Sequence, residues 1–214
     1  MAGISKTAGI NASLLSVQKV TKAANQAQTA LSSGRKVNSA TDNAFAFFVA
    51  KSLSGRAGDL AAKKDGIDQG ISAIRTATNA IDTIEDFSKQ LKGLAEAARS
   101  ASPTERQALT EQFNEIARQI DNVAQDASFN GVNLVSGNDE LTVSFDSREG
   151  SNLTVQGADI SGDDLTALGA PGGSLVNATN DDIDAIISQI DNSIDSLRGE
   201  AAQLGTQTAI LQER

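Results

Sequence analysis

The chain has no cysteine, no histidine, no tryptophan and no tyrosine. Without cysteine there is no disulfide, no thiolate metal site and no thiol nucleophile. Without histidine the commonest general base and the commonest metal ligand are missing. Seven phenylalanines are the only aromatic residues in 214 positions, too few for a large aromatic-filled globule. Proline is nearly absent, with 2 copies, so long helices meet few obligatory breaks. The longest apolar run, AFAFFVA at 44–50, is far shorter than the roughly 20 residues a membrane-spanning helix needs. No apolar stretch near Met1 has the form of a secretory signal.

What remains is aliphatic and polar. Apolar residues make up 39% of the chain and there are 18 glycines, near the globular average. Ala, Ser, Gln, Asn and Ile dominate, a composition suited to narrow helix-on-helix seams. The net charge of −9 is unevenly spread. Residues 1–41 contain Lys6, Lys19, Lys22, Arg35 and Lys36 and no acid, so the remainder carries −14. An acidic body argues against nucleic acid as a partner. The basic start reads as the soluble face of an amphipathic helix.

Periodicity predicts a mostly α fold: an elongated antiparallel helical bundle or coiled-coil rod with one small β-hairpin and an N-terminal helical arm. Near the C-terminus Ile183, Ile187, Ile190, Ile194, Leu197, Ala201, Leu204, Thr208 and Leu211 are spaced alternately by four and three, an a/d seam over four heptads. Thr179 or Asn180 can cap this helix, predicted over 180–214, with Asp181, Asp182 and Asp184 at its positive end. A longer helix is predicted over about 43–100. It carries Ile67, Ile71, Ile74, Thr78, Ile81, Ile84, Phe87, Leu91, Leu94 and Ala98, and Gly55, Gly58, Gly66 and Gly70 are expected to allow close helix approach. Ser102, Pro103 and Glu105 form a helix-start signature for a third helix over about 103–127, striped by Leu109, Phe113, Ile116, Ile120 and Val123. None of these stripes can be left in water, so they are expected to pack together.

Between the third and fourth helices the period changes to two. LTVSF (141–145) and NLTVQ (152–156) flank a turn-rich linker and predict a β-hairpin over about 140–157, its Leu141, Val143 and Phe145 face on the helices. Residues 157–180 read as loop with one helical turn at 163–168. Ahead of the hairpin, Phe129, Asn130, Gly131, Val132 and Leu134 make a tight Asn-Gly turn pinned by apolar neighbours.

The leading segment stands apart. Ile10, Leu14, Val17, Ala24 and Leu31 form a thin stripe, completed by Thr21 and Gln28, on an arm over 1–31. A helix with so few apolar anchors is marginal alone, and the arm is expected to order when copies meet. A joint over 32–42, including Ser33, Gly34, Asn38 and Asp42, separates it from a rod over 43–214. No P-loop, dinucleotide fingerprint or calcium-loop spacing is present. The acid pairs, such as Asp181 with Asp184, read as dipole-matched helix starts. No catalytic, cofactor or metal residues are predicted, and the chain reads as a structural protein, not an enzyme.

Taken together the motifs resemble bacterial flagellin, the filament subunit. The residues that carry the likeness are Asn11, Ser13, Leu14, Leu15 and Gln18; then Leu31-Ser32-Ser33-Gly34, Val37-Asn38-Ser39-Ala40 and Asp42; then FNGVNL at 129–134; then LRGEAAQLGTQTAILQER at the end. The resemblance implies a hairpin-shaped subunit whose terminal helices pair in a filament core, with a joint that lets arm and rod adopt two angles. It implies polymerisation with itself and other flagellins for motility. It also implies export from the cell without a cleavable signal, guided by a chaperone, and an extracellular location in the flagellum. The family continues past a motif like Ile210-Leu211-Gln212 into a further helix, so a chain ending at Arg214 is expected to be a truncated form. Some members present an Arg- and Glu-bearing surface to an innate immune receptor. Here Gln90, Lys92 and Gly93 stand in that stretch, and receptor binding is expected to be weak, because Gln90 and Gly93 cannot rebuild a charge-assisted contact. A hook–filament junction protein is the nearest alternative, and a coiled-coil binding module, giving discrete dimers or trimers, the next.

Overall fold

A computed structural model of the chain describes residues 2–137, 139–146, 150–160 and 175–213, with side chains from residue 8 onward. The fold is mostly α. In chain order the described elements are α1 (Ala2–Ser33), α2 (Ala44–Ala98), α3 (Pro103–Asp126), β1 (Ser128–Phe129), β2 (Val132–Asn133), β3 (Glu140–Ser144), β4 (Asn152–Gln156) and α4 (Asn180–Gln212). The helical turn expected at 163–168 lies outside the described residues. Two compact units divide within α2, residues 1–60 and residues 61–214, so the first turns of α2 group with α1.

The second unit holds the core. One apolar cluster joins Ile74, Ile81, Ile84 and Leu91 of α2, Phe113 and Ile120 of α3, and Ile183, Ile190, Leu197, Leu204 and Leu211 of α4. The buried stripe on α2 is broader than the predicted line, because Ala73, Ala77, Ala80, Ser88 and Ala95 are buried beside it. Small residues there serve a helix that meets more than one neighbour. On α4 Ile194, Leu197, Leu204 and Leu211 are buried as expected of a seam, but Ile186 occupies the buried position beside Ile183 and Ile190, and Ile187 is half-buried at the cluster's edge. A single-partner heptad predicts the residue four ahead; packing against two helices turns the stripe toward the residue three ahead.

The helix starts follow local chemistry. Ser102 accepts from the Glu105 amide at 3.4 Å and its own amide donates to the Glu105 carboxylate at 2.8 Å, with Pro103 at N1. Thr179 and Asp182 form the same reciprocal cap on α4, at 3.2 Å and 2.8 Å.

The hairpin β3–β4 is antiparallel, pairing Leu141 with Val155 and Val143 with Leu153. Its apolar face joins the core: Val143 and Val155 are buried, and Leu141, Phe145 and Leu153 pack against the cluster. Gly70 admits this hairpin to α2, since a Cβ at Gly70 would stand 2.5 Å from Val143 Cγ2. Gly55, Gly58 and Gly66 do not act this way, because a Cβ at any of them would meet nothing within 4 Å.

Candidate functional site

Among the described side chains of the first unit, residues 8–60, none is buried, although the segment is rich in apolar residues. On α1 Ile10, Leu14, Val17 and Leu31 of the predicted stripe are exposed, Leu31 by 86% and Ile10 by 67%, and Ala24 lies open as well. Leu15 and Val20, outside that stripe, are equally exposed. The start of α2 adds a second apolar stripe that the predicted arm did not include. Phe45, Phe48, Val49, Leu53 and Leu60 are all exposed, Phe45 by 81%. Their spacing of three, one, four and seven was legible as one helix face; the run reads as merely short when tested only against a membrane span.

The loop joining α1 to α2 is ordered by Asp42. Its carboxylate accepts from the amides of Asn38 (3.2 Å) and Ser39 (3.1 Å), from the Ser39 hydroxyl (3.0 Å) and from Gln26 of α1 (3.4 Å). The Asn38 amide, then the Ser39 hydroxyl and amide, hold the carboxyl below its ordinary value. Asn38 donates to the Arg35 carbonyl at 3.2 Å, and Ser33 donates back to Thr29 at 2.8 Å. Gly34 adopts φ 65°, the left-handed conformation that ends a helix, and Asn43 accepts from the Ala46 amide at 3.0 Å to start α2. The structure therefore brings Ser33, Gly34, Asn38 and Asp42 together in one loop. Val17, Thr21, Lys22 and Gln26 line a groove of about 750 Å³ with Ser39 and Asp42.

In the second unit Asn130 (φ 50°) and Gly131 (φ 81°) form the tight turn between β1 and β2, both in the conformation an Asn-Gly hairpin turn requires. Leu134 is buried and Val132 packs against the core, whereas Phe129 is half-buried and stands apart from the core cluster. Two residues of this connection escaped the sequence motif's apolar half. Val135 is fully buried. Asn133 donates to the carbonyls of Ala124 (2.8 Å) and Gln125 (3.1 Å) and accepts from the amides of Val135 and Ser136, both at 2.9 Å.

Gln90 and Gly93 are exposed, and Lys92 is held by Asp191 of α4 at 2.6 Å and 2.8 Å. Among the described residues, no group of three or more acidic side chains is placed to hold a metal ion, and no helix is long and apolar enough to cross a membrane.

A helical bundle around one apolar core, preceded by a helix whose described apolar side chains are exposed, defines a mostly helical protein. A family model described as the bacterial flagellin N-terminal helical region matches residues 4–140. The chain belongs to the bacterial flagellin family. Flagellin FljM of Caulobacter vibrioides is 31% identical over 183 residues, covering 85% of this chain and 66% of that protein. Flagellin FljK of the same organism is 31% identical over 181 residues, covering 84% and 65%. The chain thus spans just under two thirds of the length of these relatives. Among solved structures, Bacillus cereus flagellin superposes with a TM-score of 0.58 at 19% identity, covering 70% of this chain and 85% of that one. A putative flagellar hook-associated protein from Vibrio parahaemolyticus superposes at 0.64 and 13% identity, covering 81% and 91%. At such identities the two structures share the fold alone.

Proposed function

We propose that the chain is a structural subunit of the bacterial flagellar filament, polymerising with copies of itself and with other flagellins outside the cell to serve motility. The observation that carries this reading is the exposed apolar surface of residues 8–60. Apolar area contributes about 25 cal/mol per Å² when removed from water, and contiguous exposed patches beyond a few hundred Å² mark interaction sites. A second copy supplies the missing partner. Repeated head-to-tail contacts that do not close give an open helical polymer. In this division residues 1–31 form the assembly arm, 32–42 the joint and 43–214 the rod, with the 129–134 connection maintaining rod integrity. The function requires no catalytic group or cofactor. An export chaperone covering the apolar arm before assembly fits the same surface.

The putative hook-associated protein shares the fold, so the fold does not separate filament subunit from hook-associated protein. The sequence likeness to flagellins favours the filament. Leu14→Asp tests the reading: the full-length variant is expected to keep its helical circular dichroism and lose assembly, and normal filaments from it would refute the arm's role. For innate recognition, we expect the full-length protein to activate the flagellin receptor weakly. Lys92 is engaged by Asp191, and Gln90 and Gly93 offer no ionised group. A cell reporter responding strongly at low protein concentration would overturn that expectation.

A further inference from the structure

The apolar seam between α2 and α4 is nearly blind to register. Ile183, Ile190, Leu197, Leu204 and Leu211 recur every seven residues on α4, and Ala77, Ile84, Leu91 and Ala98 do so on α2. Sliding one helix by a heptad, about 10.5 Å, again sets apolar residues against apolar residues. Burial is non-directional, so along this seam it discriminates against such a slip weakly; the close fit at Gly70 does so at one end only.

The flanking charges are not degenerate. Arg99 pairs with Asp184, Lys92 with Asp191 at 2.6 Å, and Glu85 with Arg198 at 2.8 Å. The rungs are seven residues apart in both segments and run in opposite chain directions, with Arg99 standing one residue past the end of α2. Their polarity is mixed: the α2 side supplies the base at 99 and 92 and the acid at 85. Lys89 and Asp195, each on the same helix as its partner, flank the third rung.

We infer that this mixed-polarity ladder selects the register of α2 against α4. In the observed register all three rungs join opposite charges. A one-heptad slip one way pairs Lys92 with Asp184 but sets Glu85 against Asp191. The slip the other way pairs Arg99 with Asp191 but sets Lys92 against Arg198. Either slip replaces three attractive rungs by one attractive and one repulsive. Had α2 supplied the base at every rung, a slip would forfeit one rung and bring no like charges together. The reversed rung penalises both directions at once, by attraction to the right partner and repulsion from the wrong one. Partly exposed pairs add little to stability, so register choice is the property to test.

Reversing one charge of the third rung inverts the ladder's own preference. With Glu85→Lys, the first slip has two attractive rungs and none repulsive; with Arg198→Glu, the opposite slip does. The chain lacks cysteine, so cysteines replacing Asp82 and Asn192, both exposed and outside the ladder, take spin labels uniquely in the full chain. Double electron–electron resonance should show a shorter distance appearing in Glu85→Lys, a longer one in Arg198→Glu, and the parent distance restored in the double variant. The parent distance alone in both single variants would overturn the inference. If the single variants lose their helical dichroism, recovery of helix and of the parent distance in the double variant supports the ladder, and failure to recover refutes it.

Discussion

Asn133 closes two structures with one carboxamide. Its amide group binds the last carbonyls of α3 at Ala124 and Gln125, and its oxygen accepts from Val135 and Ser136. Asn133→Ala strands these main-chain groups, and its cost is expected at about 2 kcal/mol, read by urea denaturation. Asn133→Asp should also destabilise, since a carboxylate cannot donate to the two carbonyls. Glycines give a second residue-scale test. Gly66 faces open space, and Gly66→Ala should stabilise α2 by up to about 1 kcal/mol. At Gly70 the new methyl meets the buried Val143, and overpacking of about 1–3 kcal/mol should outweigh that gain. Opposite signs of the two changes in thermal midpoint are the expected outcome. The Asn-Gly turn was legible in the sequence because both residues tolerate positive φ. The role of Asn133 and the difference between Gly66 and Gly70 were not, because each depends on what a distant segment brings alongside.

Helix starts are the elements most directly written in local sequence. Ser102-Pro103-x-Glu105 and Thr179-x-x-Asp182 are complete within four residues, and both form capping boxes. Ser102→Ala should cost about 1 kcal/mol. The caps also set an acid limit. The Ser102 amide holds Glu105 below its ordinary 4.5, and the Thr179 hydroxyl and amide hold Asp182 below its ordinary 3.8. A depressed carboxyl binds fewer protons in the folded state than in the unfolded one. Its contribution is therefore complete above the ordinary value and is lost as pH falls through the folded value. Thermal midpoints should hold down to about pH 5 and fall below about pH 4, less steeply in a Glu105→Gln, Asp182→Asn double variant, which has no carboxyl to titrate at either cap. A seam position such as Ile186 in place of Ile187 was less legible, because the buried arc of a helix depends on how many neighbours it meets.

For the molecule as a whole, the contrast lies between 8–60, where no described side chain is buried, and the buried stretch of α2 that begins at Gly70 and Ala73. Amides protected only by an exposed helix open locally, whereas those under a packed core approach global stability. Hydrogen exchange of the chain before assembly should be much faster over 8–33 than over 74–98, and assembly should slow the former. Equal protection in both stretches before assembly would contradict an unpartnered first unit. The sequence by itself determined the helices, their caps, the Asn-Gly turn, the hairpin and the thin apolar stripe on α1, since each is a pattern within a few residues or a few turns. It also carried the flagellin motifs. Tertiary structure alone decided which glycine touches a neighbour, which isoleucine enters the seam, that the apolar start of α2 stays in water, and that charges 85 to 113 residues apart in the chain meet as a ladder. Periodicity says that a face is apolar but not what lies opposite; partner, depth and register arise only when segments distant in the chain share one interior.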